Sequence, residues 1–264
     1  LITTDKKAVF AGFDPSSCIE TPVVNSWVAL EITTVLNPAQ FYAIFPFGTK
    51  PIPEISEDEK YKNEDPEDTS YDILNSLEAL NEAMNKKYSR IVHRDTDYTV
   101  YGEGEIVACR FTQDDHFYRA RILSLIPENH EVLVFYVDYG NREWVSESSI
   151  RQMVPQFMLL PFQAIECRMP LKPVGSGMTW SSKSDTRFFK EFVEGKVLCA
   201  KILDSGSSGF LIVDLYDTTG EDIHINQYLI DTNIALPSCY PVGIPASKHS
   251  STDIQLLQPR MLPG

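Results

Sequence analysis

The chain has 264 residues, enough for one large domain or two small ones. Hydrophobic residues make up 43% and charged residues 23%, an ordinary composition with enough apolar mass for a packed core. The formal net charge of −14 sets up a field that repels phosphate backbones and attracts cationic partners, which argues against bulk affinity for nucleic acid. Cys18, Cys109, Cys167, Cys199 and Cys239 are odd in number, scattered and never spaced C-x-x-C, so they read as reduced thiols of a cytosolic or nuclear protein. The histidines share no ligand spacing with them, and no metal or cofactor is expected. No apolar run is long enough to span a bilayer and no signal peptide is visible, so no membrane partner is expected. The first residue is Leu1, as in a piece of a longer chain.

Residues 1–25 lack a period and read as an irregular lead-in. Strict alternation over Val28–Val35 predicts a strand, with Val28, Leu30, Ile32 and Thr34 on one face. A turn around Pro38 leads into a returning strand, Phe41–Phe45. The stretch 53–70 is acidic and nearly free of large apolar groups, the mark of a solvated loop. Ile73, Leu74, Leu77, Leu80 and Met84 then recur at helical spacing over Tyr71–Tyr88, with Thr69 or Ser70 as cap and Lys86 and Lys87 at the negative end.

Short strands crowd the next segment: Ile106–Thr112, Phe117–Ser124, Glu131–Asp138, Glu143–Val145 and Ser148–Gln152. Such spacing predicts a small barrel. Phe162–Met169 is a further strand, and Ser184–Glu194 a helix that buries Phe188, Phe189 and Phe192 and stops at Gly195. Val197–Leu203 and Phe210–Tyr216 flank a Gly/Ser loop as a hairpin. Glu221–Asn226 reads as strand, Asn226–Ile230 as a short helix, and 237–264 as a tail. Neither flank has enough strands to close a sheet alone, so the two flanks are expected to pair as halves of one domain around the central barrel.

The runs Phe117-Tyr118-Arg119-Ala120-Arg121 and Phe135-Tyr136-Val137-Asp138-Tyr139-Gly140-Asn141, with Val107–Phe111 before them and Leu160–Ala164 after, resemble the Tudor fold. The flanks resemble the staphylococcal-nuclease-like, OB-type part of extended Tudor domains. The resemblance implies a mainly β, α+β architecture: an SH3-like Tudor barrel inserted in a split SN-like/OB-fold domain and joined to it by a long helix. The expected organisation is an irregular segment 1–25, a first SN-like half 26–99 carrying the acidic loop and linker helix, a Tudor core 100–155, a second SN-like half 156–236 and a tail 237–264.

Within the strand Val132–Val137, the parity places Leu133, Phe135 and Val137 toward the barrel core. Gly140 allows a turn that brings Tyr136 and Tyr139 to one rim, where Phe111 and Tyr118, flanking the hairpin tip, can join them. Rings around one opening suit a flat, weakly hydrated cation, and the Asn141 carbonyl can accept a guanidinium N–H. Phe117, Phe135 and Trp144 read as core, and Asp138 as support for the turn or for a neighbouring arginine.

In the resembled family the positions matching Phe111, Tyr118, Tyr136, Tyr139 and Asn141 form a methylarginine cage. The resemblance implies a non-catalytic reader of symmetrically dimethylated Arg-Gly or Arg-Ala motifs. The implied partner is the N-terminal tail of a Piwi-class Argonaute protein, in a scaffold of the germline piRNA pathway at perinuclear germ granules (nuage). Other functions are weaker. A nuclease needs grouped carboxylates with basic residues, and the flanking strands show none. RNA binding by the SN-like half would need a patch such as Arg187, Lys196 and Lys201, against the net charge. Methyl-lysine reading or a methylation-independent protein contact uses overlapping residue types.

Overall fold

The computed structural model describes residues 19–49, 76–90, 100–175, 179–181, 184–206 and 209–238. The lead-in before residue 19, the acidic loop 53–70, the helix start at 71–75 with its caps Thr69 and Ser70, and the tail beyond 238 lie outside them. In chain order the elements are β1 (Trp27–Asn37), β2 (Gln40–Ile44), α1 (Leu77–Tyr88), β3 (Ile106–Arg110), β4 (Phe117–Ile126), β5 (Glu131–Tyr136), β6 (Arg142–Ser146) and β7 (Ile150–Gln152). There follow β8 (Ile165–Arg168), β9 (Leu171–Pro173), α2 (Asp185–Val193), β10 (Val197–Ser205), β11 (Leu211–Asp217), β12 (Ile223–His224), α3 (Ile225–Asp231) and β13 (Ala235–Pro237). They sort into two compact units. One holds residues 76–163, the other 21–49 and 164–238.

In the first unit β6, β5, β4, β3 and β7 pair in that order, all antiparallel, and form a five-stranded barrel. Val107, Cys109, Ala120, Ile122, Val132, Val134, Tyr136, Val145 and Ile150 fill its interior. This reverses the parity expected for β5. Val132, Val134 and Tyr136 point inward, while Leu133 and Phe135 are half-buried on the outer face, where the Arg142 guanidinium lies 5.8 Å from the Phe135 ring. Trp144, paired across from Leu133, is likewise on that face and 46% exposed rather than core. Alternation fixes which residues share a face but not which face is inside.

Helix α1 closes one side of this barrel. Over its described residues it runs Leu77–Tyr88, with Ser76 extended before it and the Ser76 hydroxyl accepting the Ala79 N–H at 3.1 Å. Leu80, Met84 and Tyr88 are buried with Ala108, Phe117 and Phe157. The Tyr88 hydroxyl donates to the Gln152 carbonyl (2.9 Å) and accepts from the Val154 N–H (3.0 Å), so even its polar end is satisfied.

The second unit is a ring. β1 pairs with β2 and β10, β2 with β8, β8 with β11, and β11 with β10, which closes the circuit; the β8–β11 pairing is parallel. With α2 between its third and fourth strands, this is the topology of an OB fold. The whole barrel unit is inserted between the second and third strands. A bulge in β1 after Ile32 breaks the expected alternation, so Val35 rather than Thr34 turns into the core with Val28, Leu30 and Ile32. Phe189 and Val193, one helical turn apart, are the buried stripe of α2; Phe188 falls beside it and is 38% exposed, a correction to its expected burial. Gly195, with φ of +76°, turns the chain from α2 into β10 and donates its N–H to the Ile32 carbonyl at 2.8 Å. The strand expected over Glu221–Asn226 is reduced to β12, and α3 begins at Ile225, where the buried Asn226 side chain accepts the Leu215 N–H at 3.0 Å.

One polar group is seated at the centre of the first unit. Arg119 is fully buried on β4 and donates through Nε and Nη2 to both carboxylate oxygens of Asp138, at 2.9 and 2.5 Å. Its remaining N–H groups meet the carbonyls of Phe157, Leu160 and Pro161, and Asp138 also accepts the Gln163 N–H at 3.0 Å. Asp138→Ala strands a buried guanidinium and should lower stability by about 3–5 kcal/mol. Asp115→Asn, which removes the charge of an exposed pair with Arg110 at 3.8 Å and still suits the left-handed backbone there, should cost under about 0.5 kcal/mol. Urea unfolding of the two variants checks the contrast.

Candidate functional site: an aromatic cluster on the barrel

Phe111 directly follows β3, Tyr118 is the second residue of β4, Tyr136 ends β5 and Tyr139 lies in the turn before β6. The β3–β4 tip is held by the Phe111 N–H to His116 carbonyl bond (2.8 Å) and the Asp115 N–H to Phe111 carbonyl bond (3.0 Å). The β5–β6 turn is held by Tyr139 and Gly140 N–H groups on the Tyr136 carbonyl (3.2 and 2.8 Å) and by the Tyr136 N–H on the Asn141 carbonyl (3.0 Å). Gly140 has φ of +87°, a conformation a side chain would strain, and it is what lets Tyr139 and Asn141 come back over Tyr136.

The structure brings the four rings together. Tyr118 stands nearly perpendicular to Phe111 (6.3 Å, 81°), Tyr136 (6.3 Å, 87°) and Tyr139 (5.3 Å, 82°), and Phe111 meets Tyr136 at 5.2 Å and 74°. Tyr136 is buried as the floor; Phe111, Tyr118, Tyr139 and Asn141 are half-buried around it.

Each tyrosine hydroxyl has a polar anchor that the sequence reading missed. Tyr118 donates to Asp114 (2.7 Å), and Tyr136 donates to Glu143 (3.1 Å) and lies 3.5 Å from the Cys109 sulfur. Tyr139 accepts from the Asn81 amide on α1 (2.8 Å). The other Glu143 oxygen accepts the Thr112 hydroxyl. Asp114 and Glu143 flank the aromatic cluster at the places where a strand end meets a polar tip, but their pairing across strands has no signature in one sequence.

These contacts fix protonation. Burial, with Asp114 beside Tyr118 and with Cys109 and Glu143 beside Tyr136, pushes both phenols well above their ordinary range, so each stays a neutral donor. Burial also pushes the Cys109 thiol up to about 12, which makes it an inert core group. Desolvation opposes ionisation of Asp114. The Tyr118 hydroxyl, the His116 N–H and the His116 imidazole outweigh it and hold its pKa below the ordinary 3.8. The cluster therefore presents aromatic faces backed by carboxylates, a surface that attracts a desolvated cation.

The basic patch considered on the second unit is largely neutralised. Lys196 pairs with Asp217 at 3.0 Å and Arg187 with Glu191 at 2.8 Å. Among the described residues no group of three or more His, Cys, Asp or Glu side chains could hold a metal ion. No helix among them is long and apolar enough to cross a membrane.

A Tudor-type barrel inserted in an OB ring defines the class, and known proteins agree. The Tudor domain family profile matches residues 62–171. Human Tudor domain-containing protein 1 is 28% identical over 160 residues, which cover 61% of this chain and 13% of that protein. The human Tudor and KH domain-containing protein is 30% identical over 166 residues, 61% of this chain and 29% of the relative. The chain thus spans under a third of the length of either relative. The solved structure of extended Tudor domain TD3 of mouse TDRD1, in complex with a dimethylarginine-containing MILI peptide, superposes with a TM-score of 0.62 at 24% identity, covering 82% of this chain and 97% of that one. The chain is thus similar to Tudor-domain proteins over its middle part, and its fold is that of the solved extended Tudor domains.

Because the Asp114 pKa is depressed on folding, its contribution to stability is present above its unfolded value near 3.8 and is lost as pH falls through the lower folded value. Thermal melts of the unmodified chain and of Asp114→Asn should differ at pH 6 and converge as the pH falls below 3.8.

Proposed function

We propose that the aromatic cluster is a methylarginine cage and that this domain is a non-catalytic reader of arginine-methylated tails. The ligand is a symmetrically dimethylated Arg-Gly or Arg-Ala motif in the N-terminal segment of a Piwi-class Argonaute protein. The setting is a scaffold of the germline piRNA pathway at perinuclear germ granules. The observation that carries the reading is the set of four mutually angled rings, Phe111, Tyr118, Tyr136 and Tyr139, with Asn141 beside them.

A methylated guanidinium suits such a set. It is planar and cationic, and methylation removes N–H groups that would otherwise need partners. Each good ring contact is worth about 0.5–2 kcal/mol. The Asn141 side chain makes no hydrogen bond among the described residues, which leaves its carbonyl for a remaining guanidinium N–H. The carboxylates of Asp114 and Glu143 and the net charge of −14 favour arginine-rich tails. Relatives support the partner class: the mouse TDRD1 domain was solved with a MILI peptide containing dimethylarginine.

Calorimetric titration with one Arg-Gly-repeat peptide, unmodified, monomethylated, symmetrically and asymmetrically dimethylated, tests the reading. The symmetric form should bind tightest, and Tyr118→Ala, chosen because its ring is half-buried rather than core, should weaken it by at least about tenfold. Equal binding of all forms, or none, would rule the cage out as the ligand site.

A further inference from the structure

We propose that Asn81 and Asn85 of α1 are positioning residues of the aromatic cage, a role that rests on the methylarginine reading above. They lie one helical turn apart, on the face that also carries the buried Leu80, Met84 and Tyr88. The Asn81 amide donates to the Tyr139 hydroxyl at 2.8 Å. The Asn85 carbonyl accepts the Phe117 N–H at 2.7 Å, while its amide donates to the Asn81 carbonyl at 2.9 Å and lies 3.4 Å from the Phe117 carbonyl.

The consequence is geometric. Phe117 is the first residue of β4, and Tyr118 is the next. An asparagine side chain that engages both backbone groups of Phe117 acts as one extra rung on the sheet. It fixes where β4 begins and hence where the Tyr118 ring springs from. On the opposite side, Tyr139 belongs to a turn rather than a strand. Its ring lies 5.3 Å from that of Tyr118 at 82°, and its far end is held by Asn81. One helix therefore sets the backbone under one wall and the tip of the next. Leu80, Met84 and Tyr88 pack α1 against the barrel, and the two amides add directional contacts to that apolar packing.

The test is a double-mutant cycle on the full chain, with the symmetric dimethylarginine peptide as probe. Asn81→Ala should weaken binding about three- to tenfold, the scale of one lost hydrogen bond. In a Tyr139→Phe background, which keeps the ring and removes the hydroxyl, Asn81→Ala should add no further loss. Asn85→Leu should weaken binding as well, and Asn85→Asp, which keeps the acceptor for the Phe117 N–H, should restore most of it. Unchanged affinity in Asn81→Ala, or losses that multiply in the double variant, would overturn the proposal. A ligand-free readout separates it from the cage reading: ring-flip rates of Tyr139 in carbon-13 tyrosine-labelled protein should rise in Asn81→Ala, whether or not any peptide binds. Unaltered flipping would equally defeat the positioning role.

Discussion

The first unit is organised around the buried Arg119–Asp138 pair. Burying two charges costs several kcal/mol per ion, and the arrangement persists because every donor of the guanidinium is engaged. The pair ties β4 to the turn after β5, and the same guanidinium gathers the carbonyls of Phe157, Leu160 and Pro161 from the strand-free exit segment. Arg119 follows Tyr118 directly, and Asp138 precedes Tyr139. The rings on either side of the cluster are thus spaced by one planar, doubly bonded contact between their neighbours.

The second unit shows how a fold tolerates a long interruption. Its strands come from two stretches separated by the whole barrel unit, yet pairing β8 beside β2 and parallel to β11 completes the ring. A split sheet leaves edges unpaired in either half, and closure removes them. The close is sharpened at Gly195, where the helix end is turned straight into hydrogen bonds with Ile32.

Much of this was legible in the residues. Alternation located β1, β2 and the barrel strands, and the FYRAR and FYVDYGN runs located the cluster itself. Asp138 was legible as support for the turn or for a neighbouring arginine, and it is Arg119 that it pairs with. What failed was facing. Alternation gives two faces but not which one is inside, and in β5 the larger side chains Leu133 and Phe135 drew the wrong choice. The bulge in β1 was invisible for the same reason: no residue type announces the extra position that swaps Thr34 for Val35. The anchors Asn81, Asp114 and Glu143 escaped because a half-buried amide or carboxylate reads like any solvated one until its partner is brought across from another element.

Those anchors bear on how the cluster can work. A tyrosine at a rim has ring torsions that a ligand would have to freeze, and ordering a side chain on binding costs about 0.5–1.5 kcal/mol each. Here Tyr118, Tyr136 and Tyr139 are each tied at the hydroxyl before any ligand arrives, and Phe111 is wedged against Tyr118 and Tyr136. Two of the three ties end on carboxylates, so the hydrogen bonds that orient the rings also place negative charge behind them. Rigidity and electrostatic attraction for a cation arise from the same contacts. An aromatic set that packed only through its faces would have to gain one at the expense of the other.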